Sequence, residues 1–195
     1  TRSRGKFPEI VSLLVGLPFG CMSLNDVSEL PQDFEVEEPA MTFEGNAIIK
    51  AVTYGKRTGF LTLAEDAGLE VDALGGRPGV YSARYAPGTD KDRYMKLLGE
   101  LEGVPDERRT ARFRAVVAIY NPRTDKIRTC EGVYEGKIVA KPQGTNGFGY
   151  DPVFWSSELQ KTSAEMSLEE KNSVSHRGKA IRKAREILER DFARE

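Results

Sequence analysis

Histidine is almost missing from this chain: His176 is the only one in 195 residues. Cysteine is scarce too, and Cys21 and Cys130 stand in neither a metal-type nor a redox-type spacing. That pattern argues against cysteine-based metal or disulfide chemistry and points to a reducing cytoplasm. No apolar run approaches the ~18 residues of a membrane span, and no secretory signal is visible, so no membrane partner is expected. Charge of one sign is not in excess either. The 29 Lys+Arg and 30 Asp+Glu leave a net charge of −1, which speaks against general binding to nucleic acid. Repeats, low-complexity tracts and long linkers are also absent. What is present is a globular composition, 39% hydrophobic and 30% charged, long enough for one sizeable domain or two small lobes sharing a sheet.

Periodicity sketches the elements. "KFPEIVSLLVGL" places Ile10, Val11, Leu13 and Leu14 at helical spacing, with Pro8 in the first turn. Residues 22–41 read as loops and strand fragments. "TFEGNAIIKAVTYGKRTG" predicts a helix with Phe43, Ala47, Ala51 and Tyr54 on one face, closed by Gly55 or Gly59. "FLTLA" (60–64) predicts a short buried strand that ends by delivering Glu65 and Asp66. A helix follows at 90–101, then a hairpin turning at 121–125. Near the C-terminus, Ser167 and Glu170 form a capping box, and a second helix starts at Ser175. Its stripe is Ala180, Ile181, Ala184, Ile187, Leu188 and Phe192. The mixture predicts an α/β protein with a mixed sheet.

Four stretches can carry chemistry. In "AEDAGLEVDALGGRPG" two acids follow a strand, where α/β sheets bind ligands, although neighbouring strand residues point to opposite faces. They are either ligand-facing carboxylates or solvated turn acids. "TRSRGK" is a polar loop that opens a helix, able to hold phosphate but without the P-loop spacing. In "KNSVSHRGKA" His176 and Arg177 sit in a helix's first turn, where the dipole disfavours cations. Either an anionic or purine ligand wants them there, or they are incidental charges. In "GTNGFGYDPVF" the glycines at 144, 147 and 149 allow close backbone approach. Phe148 then either stacks on a planar base or completes the core.

In order and spacing, "TRSRGKFPEI", "TFEGNAIIKA", "AEDAGLEVDALGGRPGVYSARYA", "GTNGFGYDPVF" and "KTSAEMSLEEKNSVSHRGKA" resemble the inosine/xanthosine triphosphate pyrophosphatase family. The resemblance runs nearly end to end. It implies hydrolysis of non-standard purine triphosphates between the α and β phosphates with Mg²⁺. It also implies an elongated mixed sheet with two lobes around a central cleft, a single domain over 1–195 and a homodimer. A strand ahead of Thr1 is part of the same expectation. By resemblance Asp66 is the catalytic base and, with Glu38, a metal ligand. Thr1, Ser3 and Lys6 belong to the first phosphate loop, and Ala67 lies beside the base. Phe148, Gly149, Tyr150 and Asp151 match the base-binding segment. Lys171, His176 and Arg177 match residues holding phosphate and the purine's 6-oxo edge.

The sequence departs from the family's pattern at four places. Ser3 replaces a usual Asn, Gly45 a frequent Glu, Ala67 a hydroxyl residue and Asn146 a usual Gly. Two other readings stay open: a pyrophosphatase of modified pyrimidine nucleotides, and a nucleotide-binding protein with impaired turnover.

Overall fold

The computed structural model describes residues 1–3, 5–28, 30–31 and 33–192. Helix α1 (Lys6–Leu14) is followed by an extended and turning segment, and then by α2 (Phe43–Thr58). Thr42 caps α2 by accepting from the Gly45 amide, and Gly59, in the left-handed region at φ 74°, closes it. Strand β1 (Thr62–Val71) leads through two short 3₁₀ turns to α3 (Asp90–Glu100). The hairpin β2 (Thr110–Asn121) and β3 (Lys126–Ile138) comes next. Short strands β4 (Phe154–Ser156) and β5 (Lys161–Thr162) precede α4 (Leu168–Val174) and α5 (His176–Asp191). Among the described residues the strands form a five-stranded sheet in the order β1-β2-β3-β4-β5, with β4 antiparallel to both β3 and β5. The α/β class expected from periodicity is the class observed. No helix among the described residues is long and apolar enough to cross a membrane.

Contacts divide the chain into two compact units. Unit 1 comprises Thr1–Asp66, Ala115–Gly132 and Arg177–Glu195; unit 2 comprises Ala67–Arg114 and Val133–His176. In unit 1 the apolar stripes of α2 and α5 are buried at Ala47, Ala51, Ala180, Ile181, Ala184 and Leu188. Gly55, inside α2, lies so close to Tyr120 of β2 that an added Cβ would meet its ring at 2.5 Å. That contact explains a residue that helix propensity disfavours. Unit 2 has its own core, built on Leu69, Val71, Leu97, Tyr134, Phe154 and Met166.

Two expectations need correction. The strand placed at 60–64 continues to Val71, so Glu65 and Asp66 lie in its middle. The acids looked like terminators, but both are paired, and the alternation resumes with Leu69 and Val71 fully buried. The strand fragments expected within 22–41 are not found among the described residues, which form turns and an irregular stretch there. Ser23 and Asp26 brace one of these turns, at 2.9 and 2.7 Å.

Candidate active site

In unit 1, α2 places Asn46 and Lys50 one helical turn apart, facing β1. Lys50 Nζ donates to Asp66 Oδ1 at 2.7 Å and lies 3.0 Å from Glu38 Oε1. Asn46 Nδ2 donates to Asp66 Oδ2 at 3.3 Å, while Asn46 Oδ1 accepts the Ala40 amide at 2.9 Å. One buried asparagine therefore ties the Glu38 segment to Asp66. Asp66 itself is buried. Burial, the largest influence, raises its pKa, and the charge of Glu38 adds to that. Lys50 and Asn46 pull the other way, yet the value ends above the ordinary 3.8.

A second cluster lies beside the first. The Arg177 guanidinium forks onto Glu65 at 2.8 and 2.9 Å and also donates to Glu9. All three side chains are almost wholly buried. Burial favours loss of the guanidinium's proton, but the charges of Glu65 and Glu9 outweigh it and hold the pKa above the usual arginine range. Lys6 Nζ stands 3.6 Å from Glu65. A cavity of about 450 Å³ is lined by Lys6, Lys50, Glu38 and Glu65, with Phe7 and Leu63 among its apolar walls. That volume is in the range of small-molecule sites.

In unit 2 the "GTNGFGYDPVF" loop is held by its own side chains. Asp151 Oδ2 accepts the Phe148 amide at 2.9 Å and the Lys171 ammonium at 2.7 Å. Lys171 Nζ also lies 4.6 Å from the centroid of the half-buried Phe148 ring. Tyr150 donates its hydroxyl to the Ser82 carbonyl at 2.8 Å, and its ring belongs to the unit 2 core. The Gly149 amide donates to Asp90 at 2.7 Å. His176 stacks on Phe113, with centroids 4.7 Å apart and planes 13° apart.

Residues 1–187 match the Ham1 family. The chain belongs to the Ham1 family. It is 50% identical over 192 residues to the dITP/XTP pyrophosphatase of Desulforamulus reducens, covering 97% of this chain and 94% of that protein. It is 51% identical over 183 residues to the dITP/XTP pyrophosphatase of Geobacter sulfurreducens, covering 93% and 90%. Among solved structures, a HAM1 protein from Coxiella burnetii superposes with a TM-score of 0.86 at 40% identity, covering 97% and 95%.

The sequence-predicted residues of this Ham1 chain fall into two sets. In unit 1 Glu38 and Asp66 meet at Lys50, and Lys6 lines the cavity with Glu38; Phe148, Gly149, Asp151 and Lys171 belong to unit 2. Ser3 works locally: its hydroxyl accepts the amide of Lys6, the first residue of α1, at 3.2 Å. The Thr1 hydroxyl accepts the Ser3 amide at 3.1 Å. Ala67 is a half-buried residue of β1. Arg177 corrects the reading of its helix start, because what satisfies the cation there is a pair of buried carboxylates. His176 is likewise buried and not an incidental surface charge. Tyr150 packs in the core, and Lys171 has a carboxylate partner in Asp151.

Two departures have local reasons. A Cβ at Gly45 would come within 2.7 Å of the Ala40 Cβ, leaving no room for a larger residue at that helix start. Asn146 uses its amide to donate to the Met166 carbonyl at 3.1 Å.

The sequence reading missed Asn46, Lys50, Glu9 and Asp90. For the first two a signal existed, since an asparagine and a lysine four apart border the apolar stripe of α2. For Glu9 and Asp90 no local pattern marks the partner.

Among the described residues no three His, Cys, Asp or Glu side chains gather at one point. Even so, the donor set suits a hard divalent cation. Glu38 and Asp66 both reach Lys50 Nζ, so two carboxylates converge on one place already held by a positive charge. Mg²⁺ typically takes one or two protein carboxylates and completes its shell with water and phosphate oxygens.

Proposed function

We propose that this chain hydrolyses the triphosphates of non-standard purines (dITP, XTP and ITP) to the monophosphate and pyrophosphate. The observation that carries the proposal is Asp66, a buried carboxylate with a raised pKa, gripped on one oxygen by Lys50 and on the other by Asn46. A carboxylate held in one orientation, with its basicity increased, suits removal of a proton from a water that attacks phosphorus. Breaking the link between the α and β phosphates then releases pyrophosphate. Lys6 lines the unit 1 cavity together with Glu38 and Lys50 and offsets phosphate charge, and Lys50 steadies Asp66. Glu38 and Asp66 would hold Mg²⁺, which when bound neutralises charge on the phosphate oxygens.

Unit 2 supplies base recognition. Phe148, fixed by Lys171 and Asp151, stacks on the purine. His176 provides a donor for the 6-oxo group, so adenine would meet it with a second donor. Arg177 serves by holding Glu9 and Glu65. Residues 1–195 act as one catalytic domain and a homodimer, as the resemblance implies, and cysteine usage, charge balance and apolar runs add a cytoplasmic location without nucleic-acid or membrane partners; sedimentation velocity tests the dimer.

The direct test is pyrophosphate release from ITP, XTP, dITP, GTP, ATP and dUTP, with Mg²⁺ and with EDTA. Release from the first three, abolished by EDTA, is expected. Preference for dUTP would favour the pyrimidine reading, and binding of ITP without release the non-catalytic one.

A further inference from the structure

We infer that Asp90, the first residue of α3, is a positioning residue for the base-binding loop. The inference rests on the reading that Phe148 stacks on the purine. Phe148 lies between Gly147 at φ 76° and Gly149 at φ 65°. Glycine at both flanks gives the backbone little stiffness of its own, since it visits both signs of φ at low cost. The ring's position must therefore come from anchors. Asp151 holds the Phe148 amide from within the loop, and Tyr150 anchors the residue after Gly149 through Ser82. Gly149 itself is held by a different element of unit 2, 59 residues away in sequence.

The chemistry of that contact suits an anchor. Its acceptor is ionised, and such hydrogen bonds are shorter and stronger than neutral ones; the Gly149 amide lies 2.7 Å from Asp90 Oδ2. The other oxygen, Oδ1, takes the Arg93 guanidinium one turn along α3, so the carboxylate is fixed in rotation. Arg93 is braced in turn by the Gly88 carbonyl at 3.2 Å. At the first position of α3 the helix dipole also favours a negative charge. Asp90 thus transmits the placement of α3 to the residue that follows Phe148.

The test uses Asp90→Ala, Asp90→Asn and Arg93→Ala in the full chain. Amide hydrogen exchange at Gly149, measured without nucleotide, should accelerate at least about tenfold in Asp90→Ala, while core amides of β3 stay protected. The KM for ITP should rise about tenfold with kcat within about twofold, as expected when binding common to ground and transition states is lost. Asp90→Asn keeps an acceptor oxygen and should restore most of both properties, and Arg93→Ala should leave KM within about threefold of the parent. An unchanged KM in Asp90→Ala overturns the inference, as does an Asp90→Asn as damaged as the alanine variant. Phe148→Ala separates the two levels. If it raises KM while Asp90→Ala does not, only the role of Asp90 fails. If neither raises KM, the base-stacking reading fails and takes this inference with it.

Discussion

In unit 1 Asp66 shares one lysine with a second carboxylate, whereas in unit 2 Asp151 has Lys171 as its ion-pair partner. The side chains also differ in access. Glu38, Lys50 and Asp66 keep 27%, 15% and 11% of their surface, against 4% and 7% for Asp151 and Lys171. Two carboxylates on one ammonium leave a negative charge in excess, within reach of solvent, which a divalent cation can satisfy. The buried Asp151–Lys171 pair, with 4% and 7% of its side-chain surface exposed, instead fixes a shape. It holds the Phe148 amide on one side and the ring on the other. The proposed function gives the chemistry to unit 1 and the geometry to unit 2, and each substitution below tests one half of that division.

The largest effect is expected for Asp66→Asn, which keeps the shape and removes the basicity. Turnover of ITP should fall about 10²–10⁴-fold, while calorimetry shows ITP still bound. Near-full turnover in a folded variant would end the role of Asp66.

Next comes Arg177→Met, which takes the guanidinium away from the buried Glu9 and Glu65. Urea unfolding should show a loss of about 3–5 kcal/mol. A loss confined to ITP affinity, with stability intact, would return Arg177 to the substrate.

Phe148→Ala should weaken binding by about 1–3 kcal/mol for every purine tested. The ratio of kcat/KM for ITP and ATP should hardly change. A drop in melting temperature with no selective loss of binding would make the ring merely part of the core.

The smallest effect is a displacement of the pH profile. Burial is the main cause of the raised Asp66 pKa, Lys50 lowers it and Glu38 raises it. The acid limb of kcat/KM should therefore lie above the ordinary aspartate value, with activity lost as pH falls through it. Lys50→Met should move the limb up and Glu38→Gln should move it down. The linked stability runs the other way. A pKa raised by folding contributes stability below the unfolded value, and that contribution is lost as pH rises through the folded value. Limbs that coincide in all three proteins would detach the profile from Asp66.

Local grammar was the legible part of this fold. Ser167 and Glu170 form the capping box read from "SLEE", the hairpin turns where the asparagine and aspartate stand, and α2 ends at Gly59. Strand β1 was cut short because two adjacent acids resemble a turn unless their partners are known. Those partners, Lys50 for Asp66 and Arg177 for Glu65, come from other elements, and periodicity carries no information about them. The same limit applies to Asp90 and Gly149. Motif order named candidate residues in both units, but not that Arg177 pairs with Glu65 and Glu9 or that Tyr150 faces the core.

The Glu9–Arg177 pair has a consequence for how the chain is made. Its members are 168 residues apart, and Glu65 precedes its guanidinium partner by 112. During synthesis both glutamates leave the ribosome long before Arg177 is polymerised. Until then the guanidinium shared by both glutamates is missing, and burying a carboxylate short of that partner costs free energy. Unit 2 contains Ala67–Arg114 and Val133–His176, so all of its segments are translated before that arginine. The nascent protein is therefore expected to complete unit 2 first, and to close unit 1 only when α5 emerges.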